Sequence, residues 1–245
     1  MIQVTNLTKV FQDKKRGSVV AVDHISFEAH AGEIFGLLGP NGAGKTTALR
    51  MLATVLFPTD GTATVAGCDV VKEAQQVRRN IGFLSGDMGL YHRLTAREVL
   101  TFFGQLSGLN GDQLKQRIEH LFSTFDMHGF ADTKVDALST GMRQKVAITR
   151  TLIHDPPIFI LDEPTAGLDV PTARGVEQFI RDARQAGKCI VFSTHVMEEA
   201  EYLCDRIAVI HQGKIRALGT MDQLRALTGK QRLREIFLDL LGLQA

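Results

Sequence analysis

The chain has 245 residues, 44% of them hydrophobic and 22% charged, with a formal charge of +1. That composition fits one large α/β domain with a sizeable core, and without a strongly basic block it gives no reason to expect a nucleic-acid partner. No run of about 18 apolar residues occurs, so the chain is not expected to span a membrane by itself. Three scattered cysteines without metal-like spacing suit a reducing compartment.

In chain order, short strands come first. Residues 2–7 form a polar-interrupted strand rather than a signal peptide. Residues 19–27, 34–38, 62–65 and 81–84 read as further strands. Lys14-Lys15-Arg16 reads as a solvated loop. A helix follows Gly44 and runs to Leu52. From about residue 93 to 153 the pattern turns helical. Thr95 and Glu98 make a capping box, with Leu94, Val99, Leu100 and Phe103 as the apolar face. Residues 113–125 and 141–153 are two more helices.

Strand character returns at 158–161 and 189–193, with a helix over 171–186 between them. That order implies parallel pairing through a crossover. Residues 207–210 and 214–217 flank Gln212-Gly213 as a hairpin. The apolar tail, with Leu233, Phe237 and Leu240, either covers a core edge or meets a partner.

The sharpest local signal is Gly39-Pro40-Asn41-Gly42-Ala43-Gly44-Lys45-Thr46, between a strand and a helix. It fits the phosphate-binding loop in full. Its backbone N–H groups and the helix N-terminus cradle phosphate oxygens. Lys45 neutralises the β- and γ-phosphates, Thr46 offers its hydroxyl to Mg²⁺, and Thr47 adds a phosphate contact. At the end of the strand over 158–161, Asp162 is expected to hold Mg²⁺ through its water shell and Glu163 to polarise the attacking water. His195 follows another strand end, where it can hydrogen-bond the γ-phosphate and position water.

With those motifs in order, the chain resembles the ATP-binding subunits of ABC transporters. Leu138-Ser139-Thr140-Gly141-Met142 resembles the family's signature, and Gly167-Leu168-Asp169 follows Glu163 at the expected distance. The resemblance implies a P-loop ABC ATPase core with an antiparallel N-terminal β subdomain and an inserted α-helical subdomain. It divides the chain into 1–85 and 157–225 for the nucleotide-binding core, 86–156 for the helical subdomain and 226–245 for a C-terminal helix. It also implies ATP and Mg²⁺ as ligands. Phe11 stacks on adenine or is a buried strand residue. Two copies, or one copy and a paralogue, pair head to tail, so that Ser139 and Gly141 of one meet ATP held by Lys45 of the other. Asp169 couples the two sites.

Two departures matter. Thr140 and Met142 stand where the family usually has glycine and glutamine, with Gln144 left on the following turn. Gly86 stands where a glutamine usually contacts Mg²⁺ and water. Asp87 or a water fills that contact, or Asp87 only caps a turn. Residues 88–95, with Tyr91, His92 and Arg93, are then permease-facing surface.

The implied function is ATP hydrolysis at the cytoplasmic face of the membrane, energising a separate polytopic permease. The N-terminal region, residues 81–98 and the C-terminal tail look similar to bacterial sodium-efflux exporters. Exporters of drugs, lipids or polysaccharides, and a non-transport cofactor-assembly ATPase, are the alternatives. The chain lacks the long insertion of the repair members and the second cassette of the translation factors.

Overall fold

Parallel strands that are apolar at every position must be covered on both faces, and the order of elements shows how. The computed structural model describes residues 1–13, 17–85 and 89–242, the side chain of Asp13 excepted. Lys14, Lys15, Arg16, Gly86 and Asp87, with the readings attached to them, lie outside the described residues.

Two long antiparallel strands open the chain, β1 (Ile2–Asp13) and β2 (Gly17–Ala29). Both are longer than their hydrophobic alternation suggests, because polar residues such as Gln12 and Ser18 continue the ladder on the exposed end. Lys9 pairs with Val22 and Val10 with Val20, so Ala21 is an extra residue on β2, a bulge. Next come β3 (Ile34–Leu38) and α1 (Lys45–Leu52), joined by the glycine-rich loop. After them, β4 (Asp60–Val65) and β5 (Cys68–Asp69) complete a four-stranded sheet in the order β2-β1-β4-β5. The short α2 (Ala74–Asn80) leads into β6 (Ile81–Leu84).

The helical region comprises α3 (Ala96–Leu106), α4 (Gly111–Thr124), two short 3₁₀ turns and α5 (Thr140–Leu152). The capping box forms as read: Thr95 N–H donates to Glu98 at 2.8 Å and Glu98 N–H to the Thr95 hydroxyl at 3.2 Å. The chain then returns through β7 (Ile158–Asp162), α6 (Val170–Gln185), β8 (Cys189–Thr194) and α7 (Met197–Leu203). A hairpin, β9 (Arg206–His211) and β10 (Lys214–Gly219), precedes α8 (Met221–Thr228) and α9 (Leu233–Leu240). Its turn holds Gln212 at φ 49° and Gly213 at φ 76°, the left-handed pair of a tight hairpin turn.

The second sheet has six strands in the order β10-β9-β3-β8-β7-β6, all parallel except the β9–β10 hairpin. Period-two alternation splits its strands between cores. Phe35, Leu37, Ile158, Ile160 and Val191 face α1 and the antiparallel sheet. Ile34, Phe159, Leu161, Ile190 and Phe192 face the helical region. Helix α1 therefore lies between two sheets, which is why Leu49, Met51 and Leu52 are all fully buried. The tail resolves to the core-edge alternative: Leu233, Ile236 and Phe237 pack with Leu38, Ile207 and Val209.

Three helices escaped the periodicity reading. Helices α2 and α7 have seven residues each, too few for a 3.6-residue pattern to show. The signal for α8 was present: Thr220 and Gln223 make a capping box, and Gly229 closes the helix at φ 71°.

Because Leu49 joins the two sheets, Leu49→Ala is expected to cost about 2–5 kcal/mol, read as a lower urea midpoint with an unchanged slope. An unchanged midpoint would show that α1 is not a shared support.

Candidate active site

The site assembles at the C-terminal ends of adjacent parallel strands, where open α/β sheets bind ligands. Leu38 is paired with Thr194, and Asp162 with Ser193, so the loops after β3, β7 and β8 emerge side by side.

The loop after β3 takes its shape from its packing as much as from its glycines. A Cβ on Gly39 would sit 2.3 Å from the Ile210 carbonyl oxygen. One on Gly44, at φ 107°, would sit 2.4 Å from the carbonyl oxygen of Ala21, the bulged residue. Gly213 N–H donates to Ala43 O at 2.9 Å, so the hairpin turn also holds the loop. The loop and Glu163 line a pocket of about 150 Å³. Gly44 is the N-cap of α1 and brings no side-chain acceptor, which leaves the first N–H groups of that helix available to an anion. A wider cleft of about 630 Å³ lies between α4, α5 and α6, but none of the phosphate-loop residues lines it.

Lys45 is buried, with 4% exposure, and its ammonium donates to Gly39 O at 2.8 Å and Pro40 O at 3.2 Å. It also lies 3.2 Å from Glu163 Oε1. The other oxygen of Glu163 is 3.1 Å from His195 Nδ1. Glu163 has φ 48°, a left-handed conformation that is strained for a non-glycine residue. Its N–H is fixed by Ser193, through the carbonyl at 3.2 Å and the hydroxyl at 3.1 Å. This kink directs Glu163 toward Lys45 while Asp162 stays in the strand.

Asp162 is 3% exposed, and its Oδ1 accepts from Thr46 Oγ1 at 3.1 Å and from Ser193 Oγ at 2.6 Å. The Thr46 hydroxyl and the Asp162 carboxylate are hard oxygen donors suited to Mg²⁺, which takes few protein ligands and keeps waters and phosphate oxygens. Among the described residues there is no group of three or more His, Cys, Asp or Glu that could hold a metal ion, and a Mg²⁺ held in this way needs none. Ser193 was missed from the sequence because it ends a buried apolar run, but it touches both carboxylate residues.

The structure thus brings Lys45, Thr46, Asp162, Glu163 and His195 together. It keeps Ser139, Gly141, Asp169 and Phe11 out of that pocket's lining. Ser139 caps α5, its hydroxyl accepting from Met142 N–H at 3.2 Å. Asp169 caps α6, accepting from Thr172 N–H at 3.0 Å and Thr172 Oγ1 at 3.1 Å, and these bonds, the backbone one first, lower its pKa. A Cβ on Gly141 would be 3.3 Å from Thr172 Oγ1 and 3.8 Å from Asp169, so the signature helix rests on the start of α6. Gln144 does not stand in for the amide missing at Met142. It is buried, and its Nε2 donates to Pro164 O at 2.5 Å, next to Glu163. Phe11 is not the buried strand residue of the bland alternative. It is 38% exposed, opposite Val19, with Lys9 Nζ 5.3 Å from its ring centre.

Residues 22–166 match the model of the ABC transporter family. The chain belongs to the ABC transporter family. It is 45% identical over 239 residues, 97% of each chain, to the ABC transporter ATP-binding protein NatA of Bacillus subtilis. It is 39% identical to the probable multidrug ABC transporter ATP-binding protein YbhF of Escherichia coli, matching 92% of this chain and 38% of that one. Among solved structures, an ATP-binding subunit of an ABC transporter superposes with TM-score 0.88 at 27% identity, covering 98% of this chain and 99% of the other. The ATP-binding cassette MJ0796, solved as a dimer bound to ADP and Pi, superposes with TM-score 0.83 at 26% identity over 90% and 98% of the two chains. This ABC protein is an ATP-binding, ATP-hydrolysing cassette.

Ser193→Ala removes a 2.6 Å donor from a buried carboxylate. It is expected to destabilise the fold by about 1–3 kcal/mol and to slow ATP turnover. Urea unfolding and a phosphate-release assay check both, and wild-type values in each would remove Ser193 from the site.

Proposed function

We propose that this chain is the ATPase subunit that drives a separate polytopic membrane permease of exporter type. The observation that carries the hydrolytic half is Glu163, which stands between Lys45 at 3.2 Å and His195 at 3.1 Å. Phosphates entering the loop take over the charge of Lys45. That frees Glu163 to accept a proton from the attacking water, with His195 beside it to orient water and γ-phosphate. Thr46 and Asp162 hold Mg²⁺ in this reading, and the exposed Phe11 stacks on adenine. Asp87 as a further Mg²⁺ ligand rests on the sequence alone.

Head-to-tail dimerisation completes the site. Ser139 and Gly141 lie outside the pocket of their own chain, so they are placed to serve the ATP of a second copy or of a paralogue. The exposed Val170, 69% accessible beside Asp169, fits a surface covered by that partner. The dimeric MJ0796 cassette supports pairing of two such chains. Among the described residues no helix is long and apolar enough to cross a membrane, so the proposal places the chain at the cytoplasmic face, on its permease. An aromatic patch is the docking candidate: Tyr91 and Phe102 are 51% and 40% exposed, 5.6 Å apart, and edge-on.

Exporter type is supported by relatives named for linearmycin resistance, daunorubicin resistance and Nod factor export, at 35%, 38% and 38% identity. Sodium is the first cargo to assay, on the resemblance of residues 81–98 and the tail.

Glu163→Gln is expected to keep ATP binding, to lower turnover by about 10²–10⁴-fold, and to accumulate an ATP-dependent dimer on gel filtration. Turnover at the wild-type rate would remove Glu163 as the base. With the co-purified permease in vesicles, wild type should move ²²Na⁺ or a drug in step with hydrolysis. A permease that neither binds the chain nor alters its ATPase rate would favour a soluble assembly role.

A further inference from the structure

The carboxylate of Glu199 joins the loop after Glu163 to the strand end before His195. One oxygen accepts from Thr165 Oγ1 at 2.6 Å and the other from Thr194 Oγ1 at 2.7 Å. Thr165 lies two residues after Glu163, and Thr194 immediately precedes His195. Both threonines are buried, at 7% and 2% exposure, so these charge-assisted bonds are short, shielded and directional. The Thr194 hydroxyl also accepts from Val196 N–H at 3.0 Å, which fixes the turn on the far side of His195.

We propose that Glu199 is a positioning residue for hydrolysis, holding the His195 loop in register with the Glu163 loop. The inference rests on the hydrolytic reading above. The Glu163–His195 pair is the front link between the two loops, at 3.1 Å. His195 is 44% exposed in its side chain, so that link by itself is solvent-screened and loose. The Thr165–Glu199–Thr194 bridge is the rear link, and it closes a ring through both strand ends. With the rear link cut, Glu163 and His195 lose their register while the phosphate-loop contacts stay in place, because Glu199 does not line that pocket. A bland role exists for Glu199 as an acid in the first turn of α7. The two roles differ in what they demand of the side chain. A helix-end charge is served by aspartate. A bridge needs length and two hydrogen-bonding atoms, which glutamine keeps and aspartate, one methylene shorter, loses.

The test compares Glu199→Ala, Glu199→Asp and Glu199→Gln with Glu198→Ala, an exposed neighbour, as control. Positioning predicts that Ala and Asp lower kcat by about 10²-fold with KM for ATP unchanged, that Gln recovers most of the rate, and that the control equals wild type. It also predicts that Thr165→Val added to Glu199→Ala lowers kcat no further, since the Thr165 hydroxyl serves the bridge. The ¹⁵N signals of histidine-labelled protein read the register without turnover: the His195 resonance should shift in Ala and Asp and return in Gln. A lowered melting temperature with wild-type kcat and an unmoved His195 signal would overturn the proposal. So would rescue by Asp but not Gln. A wild-type chain that binds ATP without turnover would overturn the hydrolytic reading instead, and the His195 signal would still decide the bridge.

Discussion

Buried carboxylate oxygens need hydrogen-bond donors, and at Asp162 that requirement ties the active site together. Its Oδ1 is met by Thr46 from the start of α1 and by Ser193 from the end of β8. Those contacts join three segments far apart in sequence: residue 46, residue 162 and residue 193. Parallel pairing makes the meeting possible, because only strands running the same way bring these ends to one edge. Ser193 then braces the Glu163 amide, so the neighbouring carboxylates diverge. Asp162 is buried and held by two hydroxyls, while Glu163 turns out of the strand toward Lys45.

The phosphate loop depends on the rest of the fold in a less obvious way. It is backed by Ile210 of β9, at a distance that excludes a Cβ at Gly39, and by the bulge on β2, at a distance that excludes one at Gly44. Those glycines are therefore required twice, by the backbone cradle and by their neighbours. The antiparallel sheet, distant from the chemistry in sequence logic, supplies Ala21 to the pocket wall. It also presents Phe11 on the exposed stretch of the same ladder.

The signature helix is linked to the Glu163 loop of its own chain. Gln144 reaches the Pro164 carbonyl beside Glu163, and Gly141 rests against Thr172 and Asp169. Helix α5 is thus in contact with Pro164, the residue after Glu163. Thr140 and Met142 take no part in these contacts.

Local chemistry was legible in the sequence where a motif carries its own geometry. The phosphate loop needs consecutive residues, and Asp162-Glu163 needs only a strand end, so both could be read without a structure. The Thr95 capping box and the Gln212-Gly213 turn were legible for the same reason. Ser193, Thr165 and Glu199 were not, because a hydroxyl in an apolar run and an acid on a seven-residue helix have no periodic signature. The fate of Gln144 was equally hidden, since helical spacing gives a face but not its partner. What the sequence determined by itself is which groups gather at the strand ends: Lys45, Thr46, Asp162, Glu163 and His195. Only the tertiary structure decided how Glu163 is aimed and what braces it, because those contacts join strand ends whose adjacency comes from sheet order and not from spacing along the chain.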